Sequence, residues 1–533
     1  MRPLLPPVVL LVALPAQAQF PIPVVGPDAA AQALAHAPNG SVFAMGTFRD
    51  SVALEPQQPL ATLVWEAPNP TGYLARFGAD GVLQWAHALE ARRAGFNDES
   101  SATAKRIAAL PDGGVLLLGV IGPFLLIDLD PGPGEAIVQP PATDPVAFVV
   151  RYDAAGAYVW HKAVPMTGAV SAANRLGLAT DGDGVYLLIP PSPDADPGPT
   201  TTPLSTPGLV ALSLSDGATR YAVEATPPGT SMIPDDLAAG AGSVYVLGYS
   251  GNLASTRFNL SRRTASDGAL SWSFVPTAGA DRMTEAEVDA DGVLYVAGPL
   301  SSSATGVALD PTAPGTLTWS RSGNGRTFLA SYSPSGALRW SARIANNIDS
   351  FGGGFAVEGG EAFVAGSTTL GVHSTTDGSL LRSLPTAYGT PRLGAVAATG
   401  SHVTVYSTQG FQGLPAGAPP TVVVALNRSD LTLASTTVAS EGAASRDGLA
   451  LGVPMPHPVS GRAAVRVTMA AAGDALVTLS DVLGRRVALL ADGPLAEGEH
   501  LLTLDASGLA AGVYVLVLDA GGRRQTQTVV VAR

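Results

Sequence analysis

The stretch YLARFGADGVLQW at residues 73–85 decides the reading of this chain. An apolar run enters a turn ending in Asp80-Gly81, and a second run leaves it and stops on Trp85. Asp-Gly supplies the positive-φ residue that a tight hairpin needs. The pattern returns as FVVRYDAAGAYVW (148–160), LVALSLSDGATRY (209–221), LSRRTASDGALSW (260–272) and FLASYSPSGALRW (328–340). In all five the turn glycine (Gly81, Gly156, Gly217, Gly268, Gly336) stands four residues before the aromatic. Side chains two apart on a strand share a face. Leu83 with Trp85, and Leu338 with Trp340, are therefore expected to pack together on a neighbouring unit. TTDGSLLRSL (375–384) and VVALNRSDLTLAST (423–436) are weaker copies.

Each hairpin follows another strand–turn–strand. The clear cases are RIAALPDGGVLLLG (106–119), DLAAGAGSVYVLG (236–248), EVDADGVLYVAG (287–298) and FAVEGGEAFVAG (355–366). LAHAPNGSVFAMG (34–46), LGLATDGDGVYLLI (176–189) and LGAVAATGSHVTVYS (393–407) are looser. Seven four-stranded units thus follow one another between about 27 and 440. One such unit cannot bury both of its faces, but seven in sequence can by closing into a ring. The expected fold is all-β, a seven-bladed β-propeller over 27–440. Two β-sandwiches in tandem are the competing arrangement. Residues 128–146 and 190–208 are too Pro-rich for regular structure and read as insertions between the second and third strands of their units.

The aromatic-ended hairpin resembles the repeats of quinoprotein-like β-propellers. The strand ending YVAG or YVLG resembles repeats of the bacterial β-propeller proteins often called SBBP. That resemblance implies the fold and says little of function. A quinone cofactor of that class would want a tryptophan floor and often vicinal cysteines. Here the tryptophans lie in blade hairpins and the chain has no cysteine.

Composition agrees with a turn-rich β protein. The 533 residues include 61 Gly and 44 Pro, 46% are hydrophobic and only 14% are charged. The chain can therefore bury a large core and is not disordered by composition. Its net charge of −13 repels phosphate backbones, so nucleic acid is not an expected partner. The absence of cysteine excludes a thiolate nucleophile, a Cys-ligated zinc and any disulfide.

The two ends read as addresses. Met1-Arg2, the apolar run Leu4 to Leu14 and Ala16-Gln17-Ala18 form a signal peptide over 1–18 with cleavage before Gln19. No later stretch is long and apolar enough for a transmembrane helix. From 449 to 533 alternating apolar strands with frequent turns suggest a small Ig-like β-sandwich. Within it, DVLGRRV (481–487), DASGLAAGVYVLVL (505–518), Pro456 and Pro458, Gly498 with His500, and the closing QTVVVAR resemble the type A sorting domain of the type IX secretion system of Bacteroidota and relatives. His457 departs from the usual Asn of the Pro-Asn-Pro start. The resemblance implies that Pro456, Pro458, Gly484, Arg485, Gly508, Gly512 and Tyr514 are sorting-motif positions. It also implies type IX secretion machinery as a partner and an extracellular or outer-membrane surface location. On the residues alone, Gly484 and Gly512 read as turn glycines, Tyr514 as an inward strand residue and Arg485 as a solvated cation.

Chemistry is sparsely marked. Gly248-Tyr249-Ser250-Gly251 comes near a nucleophile elbow but reads as a turn after a strand. The histidines show no HExxH spacing, and His87 and His161 read as surface residues. Gly352-Gly353-Gly354 lacks the ending of a phosphate loop. Asp-x-Asp-Gly at Asp181/Asp183 and Asp289/Asp291 is half of a calcium loop, with no closing Glu. Calcium is the one cofactor these motifs suggest, against a plain Asp-capped hairpin turn. Asp194 and Asp196 fall in a Pro-rich loop, and Asp235-Asp236 begins a strand and reads as a turn cap. The expected function is a secreted or cell-surface binding or structural module whose ligand is polysaccharide or protein. The alternative is an extracellular polymer-degrading glycoside hydrolase or lyase, which convergent carboxylates at one end of the channel would favour.

Overall fold

The computed structural model is all-β. It describes residues 22–23, 30–54, 62–65, 71–93 (except 80), 99–140 (except 102), 144–167, 176–196, 202–250 (except 231), 257–275, 283, 285–299, 308–313, 327–344, 354–365, 369–385, 393–407, 422–431, 450–451, 459, 462–481 (except 470), 485–510 (except 507) and 512–531 (except 522). Among these residues seven four-stranded antiparallel sheets run in chain order. Their innermost strands are Ala30–His36, Thr103–Ala109, Gly177–Thr180, Ile233–Gly240, Glu285–Val288, Phe355–Glu358 and Leu393–Ala398. Each of these touches the next, and the seventh touches the first, so the sheets close into a ring of blades. Blade 4 is typical: Ile233–Gly240, Ser243–Ser250, Arg257–Thr264 and Leu270–Phe274 pair in that order outward.

Blade 7 is closed differently. Its inner three strands are Leu393–Ala398, His402–Ser407 and Val422–Asn427, and its outermost strand is Ile22–Pro23 from the other end of the chain. Ile22 pairs with Val423 and Pro23 with Val422. The ring therefore starts before residue 27, the boundary expected from the repeat, because the closing strand is too short to show a repeat of its own.

A layered register explains why the blades stack. At one height the second strands carry Phe43, Leu116, Tyr186, Tyr245, Tyr295, Phe363 and Thr404. Paired outside them are Arg76, Arg151, Ala211, Arg262, Ser331, Val372 and Ala425. Outside those, in blades 1 to 6, stand Trp85, Trp160, Tyr221, Trp272, Trp340 and Arg382. Just beyond this position every one of the six outer pairings shifts register by a bulge, as between Arg76/Phe77. The extra residue turns the preceding side chain to the other face. Leu83 thus packs with the cluster around Phe77, while Trp85 packs with the next blade, and Leu338 and Trp340 part in the same way. The expectation that the two share a face fails for this reason.

The outward aromatics bind blade to blade. The indole N–H of Trp85 donates to the Ala154 carbonyl (3.3 Å), Trp160 to Leu214 (2.9 Å), Trp272 to Pro334 (3.2 Å) and Trp340 to Thr375 (2.8 Å), each in the outer hairpin turn of the following blade. The turn glycine of that hairpin lies flat on the aromatic. A Cβ on Gly156 would come 2.8 Å from Trp85, on Gly217 2.6 Å from Trp160 and on Gly268 2.6 Å from Tyr221. These glycines also hold positive φ, so both space and backbone demand them. Between blades 6 and 7 the pair changes together. Arg382 replaces the aromatic, still donates to the matching Arg428 carbonyl (2.9 Å), and Leu431 takes the turn position at φ 58.

Antiparallel order sends all first-to-second and third-to-fourth turns to one end of the ring. The second-to-third and blade-to-blade connections lie at the other. The turn end is short. At the loop end, Glu90–Arg93 and Glu99–Ser101 join Leu125–Asp128 and Ile137–Val138 in an additional four-stranded sheet. The two Pro-rich insertions are where the sequence places them, but they are more regular than their composition suggests. Asp128 Oδ1 accepts the N–H groups of Asp130 and Ala136, and Asp194 Oδ1 those of Asp196 and Thr202. A Ser192–Leu204 bridge closes the second insertion. Side-chain capping supplies the order that prolines cannot.

Residues 450–531 form a separate pair of antiparallel sheets, of three and four strands, over one core that includes Val465, Val477, Leu516 and Val529.

Candidate functional site in the central channel

Inward of the aromatic layer, six blades present an alanine: Ala35, Ala108, Ala179, Ala238, Ala356 and Ala397. In blade 5 the same position, opposite Tyr295, is Glu287. Space near the axis is scarce, which accounts for alanine. It does not account for a glutamate. Glu287 is water-exposed, yet protein surrounds it. That combination belongs to a group facing a narrow wet bore. Desolvation, and then the neighbouring charge of Asp236, push its carboxyl up to about 8.

Asp236 lies on the inner strand of blade 4. That strand is bulged between Pro234 and Asp236, with Asp235 the extra residue. The inner strand of blade 2 is bulged at the matching place, between Ala104 and Arg106, with Lys105 extra. Bulges re-aim side chains. Blades 2 and 4 are not neighbours, so the Arg106–Asp236 attraction acts across the bore. Burial raises the Asp236 carboxyl, Arg106 opposes the rise and Asp235 adds to it. Burial and then Arg106 lower the Lys105 ammonium. Lys105, Arg106, Asp235 and Asp236 fall in the first halves of their strands, toward the loop end of the ring. Three blades thus bring two carboxyls of raised pKa and two cations to one passage. Such a set can hydrogen-bond a polyhydroxylated or charged group, and a carboxyl that keeps its proton can act as a general acid.

The sequence set Asp235-Asp236 at the start of a strand and favoured a turn cap; the structure places the pair within the inner strand Ile233–Gly240, at its bulge. The aspartates proposed for calcium occupy two separate turns, of blades 3 and 5. Asp181 Oδ1 accepts the N–H groups of Asp183 (3.2 Å) and Gly184 (2.9 Å), and Oδ2 accepts the Tyr186 hydroxyl (2.9 Å). Asp289 does the same for Asp291 (3.0 Å), Val293 (2.9 Å) and Tyr295 (2.9 Å). Their oxygens are engaged in shaping the turns. Among the described residues no three His, Cys, Asp or Glu side chains group so as to hold a metal.

The histidines read as surface residues are partly buried and hydrogen-bonded. His87 stacks on Trp85 with centroids 4.7 Å apart, and its Nε2–H donates to the Gly156 carbonyl (2.9 Å). Burial lowers its pKa. His161 Nδ1 accepts from the Tyr158 hydroxyl (2.8 Å). Asp196 is paired with Lys162 at 2.9 Å. In the C-terminal unit Tyr514 is buried in the core and its hydroxyl donates to the Ala510 carbonyl (2.8 Å). Arg485 is exposed. Gly512 begins a strand rather than making a turn. Neither it nor Gly508 has positive φ, and a Cβ added at either would meet no atom closer than 4.0 Å. Pro456, Pro458 and Gly484 lie outside the described residues.

No protein-family model matches the sequence, and no curated protein does. Solved structures that resemble the chain include the β-propeller domain of the trilobed protease from Pyrococcus furiosus (8% identity, TM-score 0.39, 74% of this chain and 94% of that one). A second is the Cps50 (Swd1) β-propeller domain of Myceliophteria thermophila (10%, TM-score 0.40, 76% and 99%). A third is the quinohemoprotein alcohol dehydrogenase of Comamonas testosteroni (12%, TM-score 0.37, 76% and 75%). The chain is a β-propeller protein, as its own closed ring of blades defines. No helix among the described residues is long and apolar enough to cross a membrane.

Proposed function

We propose that this chain is an exported, non-catalytic β-propeller binding module that takes an extracellular polysaccharide or protein at its central channel. The observation that carries this reading is Glu287, an acid in a layer that otherwise uses alanine. Residues 1–18 act as the signal peptide. Residues 449–533 engage the type IX secretion machinery, with Tyr514 holding the core of that unit and Arg485 presented to solvent. Their resemblance to the type A sorting domain supports this. The final location is then extracellular or on the outer-membrane surface.

The second reading, a polymer-cleaving hydrolase or lyase, draws on the pair Asp236 and Glu287, whose pKa values are both raised. One experiment separates the two. The chain is screened against a panel of extracellular glycans for both retention and release of reducing or unsaturated ends. Binding without turnover, lost in Glu287→Ala, is the expected result. Turnover lost in Glu287→Gln and Asp236→Asn would replace the binding module with an enzyme. Export is tested by removing residues 449–533 in a host with type IX secretion; periplasmic retention of the product is expected.

A further inference from the structure

The third strand of blade 4 turns toward blade 3 a face that departs from the other blades. In this strand, Arg257–Thr264, Arg263 pairs with Val244 and Ser261 with Val246. Val244 and Val246 pack with Leu209, Ala211 and Tyr221 of blade 3, so Ser261 and Arg263 face the same cleft. At the register of Ser261 the other blades carry Ala75, Val150, Val210, Ala330, Gly371 and Val424. At that of Arg263 they carry Phe77, Tyr152, Leu212, Tyr332, His373 and Leu426. Ser261 is 0% and Arg263 5% exposed. Blade 4 thus buries a hydroxyl at the first position and a fixed positive charge at the second, and the other six blades do not.

The charge has no counter-charge. Arg263 Nη1 donates to the Gly268 carbonyl (2.9 Å), and Nη2 to the carbonyls of Glu224 (2.8 Å) and Ala225 (3.1 Å). Carbonyls solvate a guanidinium but do not neutralise it. The carboxylates of the same neighbourhood are engaged elsewhere: Glu224 accepts from the Ser205 hydroxyl (2.7 Å) and Asp267 from the Ala269 N–H (3.0 Å). Burial lowers the Arg263 pKa, and no carboxylate opposes the shift. The third member of the cleft is Tyr221, which stands in the clasp layer where Trp85, Trp160, Trp272 and Trp340 stand in other blades. It lies near enough to Arg263 for each to act on the other's pKa. The carbonyl that matches the tryptophans' acceptors, that of Ala265, takes the Tyr186 hydroxyl instead (3.4 Å). The Tyr221 hydroxyl, the Ser261 hydroxyl and Arg263 Nε are buried, and none meets a hydrogen-bond partner among the described residues. Groups of this kind are costly to bury unpaired.

We propose that the cleft between blades 3 and 4 is a buried anion site, in which Arg263 Nε–H and the hydroxyls of Ser261 and Tyr221 hold one small monovalent inorganic anion of the chloride class. Arg263 Nε–H can only donate, and both hydroxyls can donate, so the fitting occupant accepts hydrogen bonds and carries negative charge. One guanidinium balances one charge, which selects a monovalent ion. The ion ties a strand of blade 4 to the outermost strand of blade 3, in the one clasp layer position filled by tyrosine. This site is separate from the channel and does not depend on the ligand proposed there.

In the full chain, the melting midpoint is followed as chloride replaces gluconate at constant ionic strength, which keeps screening fixed. A saturating rise of a few degrees is expected. Ser261→Ala installs the residue that blades 1 and 5 use at this register, and Tyr221→Phe keeps the ring over Gly268, so both variants are expected to fold. Both are expected to lose most of the chloride-dependent rise. Crystals soaked in bromide are expected to show an anomalous peak within hydrogen-bond distance of Arg263 Nε and the Ser261 hydroxyl. A midpoint indifferent to chloride, with no bromide peak in the cleft, would overturn the proposal and leave water as the partner of these groups. A chloride-dependent rise undiminished in both variants would place the ion elsewhere and overturn it as well.

Discussion

The turn end and the axis of this propeller follow opposite rules. At the turn end the same clasp is made again and again: an aromatic, a glycine beneath it, a carbonyl to receive its N–H. Where one partner changes the other changes too, as Arg382 with Leu431. At the axis the repeat is alanine, and the informative residue is the one that breaks it. Repetition marks what holds the ring together, and a solitary departure from it, Glu287, marks what the ring does not need for folding.

If that contrast is right, damage at the clasp is severe. Trp160 is 6% exposed and bonded to blade 3. Trp160→Ala is expected to cost about 4 kcal/mol in denaturant unfolding, from lost burial plus the cavity left behind. Gly156→Ala brings a methyl onto Trp85 at a backbone angle that disfavours it, and about 2–3 kcal/mol is expected from the same measurement. Equal stability in either variant would break the comparison.

A swap sharpens it. Arg382→Trp alone is expected to destabilise, because Leu431 occupies the place of glycine and the pairing of Arg382 with Glu361 (2.5 Å) is lost. Leu431→Gly added to it is expected to recover roughly 1 kcal/mol of coupling in a double-mutant cycle. Strict additivity would deny that the two positions act as a unit.

A smaller effect concerns pH between blades 7 and 1. His36 Nε2 and the Thr404 hydroxyl are 2.8 Å apart, and burial, then the nearby His402, lower the His36 pKa from 6.5 to about 4. The unfolded chain therefore binds the extra proton first as pH falls below about 6.5, and folding weakens until about 4. His36→Gln is expected to flatten that part of the stability profile, measured as melting midpoint against pH.

Most of the fold was legible because strand and turn chemistry are local. The hairpin ending at Trp85 declares its turn through Asp80-Gly81 and its partner strand through alternation. What escaped depends on distance or on a single added residue. Ile22 meets Val423 across nearly the whole chain, and two residues carry no period. The bulge between Leu83 and Trp85 reverses the face of Leu83 without any mark in the side chains. Asp235-Asp236 stands at the start of a legible strand, but the bulge that re-aims the pair leaves no mark in the sequence. His87 follows Trp85 by two residues and so shares its buried face, a signal that was present in the spacing.

The central claim is tested most directly by Glu287→Ala melted across pH. The Glu287 carboxyl is raised from 4.5 to about 8 by desolvation and Asp236, so its ionisation weakens the fold as pH rises through that range. The account predicts that the alanine variant melts at or above the unsubstituted protein above pH about 8, with its relative advantage shrinking toward pH about 4.5. A variant that melts lower throughout would show that Glu287 is part of the scaffold, and the contrast between clasp and axis would fail.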